Sequence, residues 1–151
     1  MFLLDSNVYI RAFREVEFGR ELQAFHSAEL SRLVVSAVVA SELLVGAQRP
    51  DRDRAVRRTL IDPFRARRRF ITPSWSTWEL ATAIDRRLRR RTGTRSRLEQ
   101  RSFFHDILIA ACAREIGAII ITMNTDDFAL IGRHVDISYG LPWPIGVGYN
   151  K

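Results

Sequence analysis

Four acidic positions lie far apart along the chain, each beside apolar sequence: Asp5, Glu42, Asp106 and Asp127 in the loop Asn124-Thr125-Asp126-Asp127. Asp106 opens Ile107-Leu108-Ile109-Ala110-Ala111-Cys112-Ala113, an unbroken apolar run of seven residues, and a helix apolar on every side is buried all round. A lone ionised carboxylate at the mouth of such a helix is costly, or takes a strongly raised pKa, unless a partner neutralises it. No Lys or Arg lies within a helical turn of Asp106. Glu42 repeats the problem in Ala37-Val38-Val39-Ala40-Ser41-Glu42-Leu43-Leu44-Val45-Gly46-Ala47, apolar nearly all round apart from Ser41 and Glu42. An internal salt bridge to an arginine and a shared cation site both answer it. Converging carboxylates repel unless cations hold them together, and oxygen-only ligands with no His or Cys nearby select Mg²⁺ or Mn²⁺. A metal on such a cluster lowers the pKa of bound water and offsets the charge that builds on a phosphate in the transition state.

The acids meet only if the elements between them fold that way. Met1 to Leu4 is a short apolar run followed directly by the helical pattern of residues 6–13, so Asp5 stands where a strand hands over to a helix. An aspartate there caps the helix whether or not it does chemistry. Residues 19–31 predict a moderately amphipathic helix with Leu22, Phe25 and Glu29 on one side and an exposed His26. Leu33-Val34-Val35 is a second short strand, Ser36 caps a helix from Ala37 to Ala47, and residues 51–60 form a highly charged helix. Phe70-Ile71-Thr72 is a third strand. Ser76-Thr77-Trp78-Glu79 and Ser96-Arg97-Leu98-Glu99 match capping boxes, with Thr92-Gly93-Thr94-Arg95 a turn between the helices they open. The second of these holds Asp106 and stops at Gly117. Ala118-Ile119-Ile120-Ile121-Thr122 is the clearest strand, apolar and β-branched as a strand covered on both faces should be. Asn124 would cap the short helix behind it, with Asp127 at its third position. Val135-Asp136-Ile137-Ser138 alternates as a final edge strand.

Short apolar strands alternating with helices predict an α/β fold, a parallel central sheet of about five short strands flanked by helices on both faces. In such sheets the functional cleft lies outside the carboxyl ends of the strands. Asp5 and the 124–127 loop both fall there, and Glu42 and Asp106 sit on helices able to line it. At 151 residues and 17.4 kDa the chain fits one domain, expected to span 1–140 with an irregular tail at 141–151. The one cysteine, Cys112, lies in the apolar run and reads as a small buried hydrophobe, which suits a reducing cytoplasm. The N-terminus lacks a signal-peptide pattern, and no apolar stretch approaches the roughly 18 residues needed to span a bilayer.

The net charge is +7, and its distribution is uneven. Of 23 arginines, 17 fall between Arg49 and Arg101, against six acids in the same window. So basic a block points to phosphate or an acidic partner, with arginine-rich composition on solvated helix faces as the plain alternative. Beside a carboxylate cluster it suggests phosphodiester hydrolysis, with Arg86, Arg87, Arg89 and Arg90 on the nucleic-acid backbone.

Leu3-Leu4-Asp5-Ser6-Asn7-Val8, Ser41-Glu42-Leu43 with Gly46, Asp106-Ile107-Leu108-Ile109-Ala110-Ala111 and Ile121-Thr122-Met123-Asn124-Thr125-Asp126-Asp127-Phe128 occur in that order over most of the chain. Together they resemble the PIN-domain ribonucleases, and most closely the VapC toxins of bacterial toxin-antitoxin pairs. The resemblance implies a Mg²⁺- or Mn²⁺-dependent endoribonuclease, usually a homodimer. It also implies a cognate VapB-like antitoxin whose C-terminal segment fills the acidic groove, forming a heterotetramer or larger. The family's metal ligands carry over to Asp5, Glu42 and Asp106, with the fourth acid at Asp127. The position three residues before that acid, acidic in some members, is Asn124, so a second metal would be weakly held and the amide would bind water or substrate. Ser6 and Asn7 would orient Asp5 or contact the phosphate.

Other enzymes with an aspartate at a first strand end are excluded by lysine usage. Receiver domains and haloacid-dehalogenase-type phosphatases need a lysine in the site, and the only lysine is Lys151. A P-loop fails on the missing Gly-Lys-Ser/Thr pattern. The remaining rival is a PIN-like module that binds RNA or a protein with degraded catalysis.

Overall fold

Five short stretches, four of them largely apolar, pair edge to edge into one parallel sheet, the number and direction that the sequence predicts. The computed structural model describes residues 1–90 and 101–143, Arg101 by its backbone alone. In chain order the elements are β1 (Phe2–Leu4), α1 (Ser6–Arg14), α2 (Val16–Glu29), β2 (Leu33–Ser36), α3 (Ala37–Gly46) and α4 (Pro50–Val56). A π-helical turn (Arg57–Ile61), α5 (Asp62–Ala66), β3 (Phe70–Ile71) and α6 (Trp75–Arg89) come next. Then come α7 (Arg101–Ile116), β4 (Ile119–Ile121), α8 (Thr125–Gly132) and β5 (Ser138–Gly140).

The sheet order is β3-β2-β1-β4-β5. Phe2, Leu3 and Leu4 of β1 face Ile119, Ile120 and Ile121 of β4, while Phe2 and Leu3 face Leu33 and Val34 of β2. Leu3, Leu33, Ile120 and Ile121 have no solvent exposure, as residues covered on both faces must. Connections from β1 to β2 and on to β3 step one way along the sheet, and those to β4 and β5 step the other. Right-handed crossovers then place α1 to α5 over one face and α6 to α8 over the other. The packing agrees: α1 lies against α2 and α3, α6 against α7, and α7 against α8. The reversal falls between β1 and β4, and there the carboxyl ends of the strands open a crevice.

The predicted buried helix is α7, whose residues from Ile107 to Ala113 are all within 3% of full burial. It ends at Gly117, whose φ of +64° is the left-handed conformation that glycine supplies at helix ends. Ser36 caps α3 as expected, its Oγ accepting from the Val38 amide at 3.1 Å.

Several local expectations are corrected. The second helix starts at Val16, not residue 19, and Gly19 lies inside it because a Cβ there would stand 2.9 Å from the Ala12 carbonyl oxygen on α1. On the same helix His26 is half-buried, its ring edge-on to Tyr9 and Phe64 rather than in solvent. The charged helix expected at 51–60 continues to Ala66 through the π-helical turn. Pro63 has no N–H to return to the preceding turn, and just ahead of it the Asp62 amide reaches back five residues to the Arg57 carbonyl. The first capping box lies two residues earlier than read. Ser74 accepts from the Thr77 amide and Thr77 Oγ1 from the Ser74 amide, so threonine takes the place assigned to Glu79. The last strand is at 138–140, because Tyr139 is the residue that buries itself against Phe128. Helix α3 is less enclosed than its composition suggests, with Val45 76% exposed. The turn at 92–95, the capping box at 96–99 and most of the predicted tail lie outside the described residues.

Candidate active site

Asp5 caps α1, one of the two readings its position allowed, and does so with its carboxylate buried near Glu42. Its Oδ1 accepts from the Ser6 amide at 2.6 Å, closing the N-terminus of α1. Oδ2 accepts from Asn7 Nδ2 at 2.6 Å and from Thr122 Oγ1 at 2.7 Å across the β1–β4 boundary. Asn7 completes the link, donating to Thr122 Oγ1 at 3.1 Å and accepting from the Met123 amide at 3.1 Å. The Asn124 amide donates to Thr122 Oγ1 at 2.9 Å. Adjacent strand ends are thus laced together around one buried carboxylate. Burial raises the Asp5 carboxyl to about 6, Thr122 works against the rise, and the nearby Glu42 charge adds to it.

Asp106 stands in the opposite condition. It is 9% exposed, and among the described residues nothing donates a hydrogen bond to it. Burial first, then the negative charges of Asp5, Asp127 and Glu42, push its carboxyl to about 8. Those charges place the four predicted acids in one electrostatic neighbourhood. An aspartate so raised beside three other acids, in a crevice, marks a functional-site candidate.

Among the described residues Glu42 pairs with no arginine. His105 Nδ1 lies 2.9 Å from Glu42 Oε1, while Oε2 is buried with no hydrogen-bond partner among the described residues. This corrects the expectation that no histidine lies near the acids. Asn124 also departs from expectation. It occupies the N-cap position of α8 without a side-chain capping bond, its Nδ2 donating instead to Asp127 Oδ2 at 2.6 Å.

Among the described residues no three His, Cys, Asp or Glu side chains stand at the spacing of a closed metal site. The donors nevertheless suit a hard divalent ion. Among the described residues Asp106 lacks a donor and Glu42 Oε2 is buried and unmatched, and all four groups are carboxylates. Magnesium-like ions keep several waters and take one or two carboxylates directly, so direct contact from every acid is not required.

The arginines predicted to meet nucleic acid, Arg86, Arg87, Arg89 and Arg90, are exposed at the end of α6, with Arg89 paired to Asp85 at 2.7 Å. Among the described residues the charges that shift Asp106 are those of Asp5, Asp127 and Glu42, all negative. A cavity of about 500 Å³ reaches one of the acids, Glu42, between α1, α3 and the segment from α4 into the π-helical turn. Ile10, Phe13, Leu43 and Val56 line it, with Glu42, Arg14 and Arg52 contributing charge.

Two residues escaped the reading of the chain as site residues. Thr122 ends an apolar strand and is the polar group in that run. His105 directly precedes Asp106. Both signals were visible, but neither identifies its partner, 117 and 63 residues away.

Comparison with known proteins gives the same architecture. No curated protein matches the chain. The DNA-bound VapBC structure from Salmonella typhimurium is similar with a TM-score of 0.64 at 20% identity, over 91% of this chain and 96% of that one. FitAcB from Neisseria gonorrhoeae scores 0.64 at 21% identity, over 96% and 100%. VapBC-1 from nontypeable Haemophilus influenzae scores 0.61 at 20% identity, over 93% and 96%. A family model described as PIN domain matches residues 2–133. The chain therefore belongs to the PIN domain family.

Proposed function

We propose that the chain is a metal-dependent endoribonuclease and the toxin of a toxin-antitoxin pair. The observation that carries the reading is Asp106, buried, without a hydrogen-bond donor among the described residues and surrounded by acids. Asp5, Glu42, Asp106 and Asp127 would hold Mg²⁺, for which Mn²⁺ can substitute. Once bound, the ion would supply an activated water and offset charge on the phosphate. Asp5, held by Ser6, Asn7 and Thr122, cannot swing away from the crevice, which keeps its oxygens where a ligand needs them. Asn124 fixes Asp127 and offers an amide to water or substrate. Arg86, Arg87, Arg89 and Arg90 would bind the RNA backbone, giving affinity that falls with salt.

The neighbours named VapBC and FitAcB support a VapB-like antitoxin as partner. The cavity that reaches Glu42, apolar in part and carrying Arg14 and Arg52, suits a segment of that partner reaching toward the acids. A homodimer, a heterotetramer or larger assembly with antitoxin, and a cytoplasmic setting belong to the same reading. Among the described residues no helix is long and apolar enough to cross a membrane.

The test is RNA cleavage by the purified chain with and without Mn²⁺. Cleavage should require the metal and be lost in Asp5→Asn, which should also relieve growth inhibition on expression. Cleavage that survives Asp106→Asn would remove the mechanism, and RNA binding without any cleavage would favour the binding-module alternative.

A further inference from the structure

The acids of the crevice are not held alike. Asp5 has backbone and side-chain donors on both oxygens, and Asp127 has Asn124. Glu42 reaches in from α3, a helix that supplies no donor to its carboxylate, and its one hydrogen bond among the described residues comes from His105. A glutamate has more rotatable bonds than an aspartate, so without that contact its carboxylate would be the least ordered of the four. An ionised carboxylate only accepts, so His105 must carry its proton on Nδ1 and donate it. A neutral imidazole serves as well as a charged one.

The division of labour between the two Glu42 oxygens is informative. Oε1 is taken by His105, and Oε2 is buried and unmatched. A buried acceptor left without a partner costs about 1–3 kcal/mol, so Oε2 would gain from a cation placed beside it. One oxygen held by the protein and one left over is how an outer partner orients a metal-ligating carboxylate. His105 is also the residue before Asp106, so the turn of α7 that presents one acid carries the donor that sets another.

We propose that His105 is a positioning residue for the cation site. Its Nδ1–H holds Oε1 of Glu42, which leaves Oε2 as the oxygen that would meet a cation. This role rests on the metal-dependent reading above.

The experiment uses the full chain, Mn²⁺ alone as probe and three variants. His105→Asn places an amide nitrogen near the position of Nδ1, His105→Gln places one near Nε2, and His105→Ala removes the donor. Mn²⁺ affinity, followed by titration calorimetry, should fall roughly 10–100-fold in His105→Ala and His105→Gln, with His105→Asn restoring most of it. If His105→Ala does not fold, the Asn and Gln variants, both polar, carry the comparison. A structural tie would instead lower the metal-free melting temperature of Asn and Gln variants without separating them in Mn²⁺ affinity, and that overturns the role. Unchanged affinity in the Ala and Gln variants overturns it alone. A wild-type chain that binds no Mn²⁺ overturns the metal-dependent reading as well.

Discussion

Replacing Asp106 by asparagine removes an acid that the fold must keep protonated, while keeping the shape of the side chain, and the metal-free protein should become more stable. The sign comes from linkage. In the unfolded chain the carboxyl loses its proton near 3.8, whereas in the folded chain it holds it to about 8. Between those values the folded state binds more protons, so stability falls as pH rises through that window. At pH 7 the interval from 3.8 corresponds, at about 1.36 kcal/mol per pH unit, to a penalty of roughly 4 kcal/mol. Relaxation and water entry reduce that, so a gain of about 1–3 kcal/mol is expected, or about 3–10 °C in melting temperature for a chain of this size. Scanning calorimetry in chelator should show the gain at pH 7.5, shrinking to little at pH 4 where the wild-type acid is protonated in the fold. Saturating Mn²⁺ should reverse the order, stabilising the wild type and not the variant. If Asp106→Asn is less stable than the wild type without metal at pH 7.5, or its gain persists at pH 4, the strained-acid account is wrong.

Thr122→Val removes the hydroxyl that donates to Asp5 and accepts from Asn7 and the Asn124 amide. It should cost about 1–3 kcal/mol, seen as a lower melting temperature. A variant as stable as the wild type would show that the lacing of β1 to β4 is not needed. Gly19→Ala puts a Cβ 2.9 Å from the Ala12 carbonyl oxygen. The crowding should outweigh the gain of about 1 kcal/mol in helix propensity, and a higher melting temperature would contradict the close approach of α1 and α2. Exchanging Arg86, Arg87, Arg89 and Arg90 for glutamine should weaken RNA binding and lower the slope of log affinity against log salt by about 3. An unchanged slope would assign that helix end to another surface.

Much of the scaffold was legible because short-range patterns report backbone preference and burial. Ala118 to Thr122 could only be a covered strand, Ile107 to Ala113 only an enclosed helix, and Ser36 capped the helix it was expected to cap. Errors gathered where a residue's role depends on what lies across from it. Gly19 looks like a helix start until α1 is seen against it, and His26 looks exposed until Phe64 and Tyr9 enclose it. The capping box slid by two residues because Ser74 and Thr77 satisfy each other as well as a Ser/Glu pair would.

Read alone, the chain determined that four acids stand at strand ends or in apolar helices with no local cation, and so that something must bring them together. Tertiary structure decided how. By setting β1 beside β4, it turns residues 117 apart into hydrogen-bond partners at Asp5 and Thr122. By packing α3 near α7, it gives Glu42 Oε1 a histidine as partner, where an internal salt bridge to an arginine was one of the two readings. Strand order and helix rotation are settled by long-range packing of the whole core, which leaves no mark in the spacing of neighbouring residues.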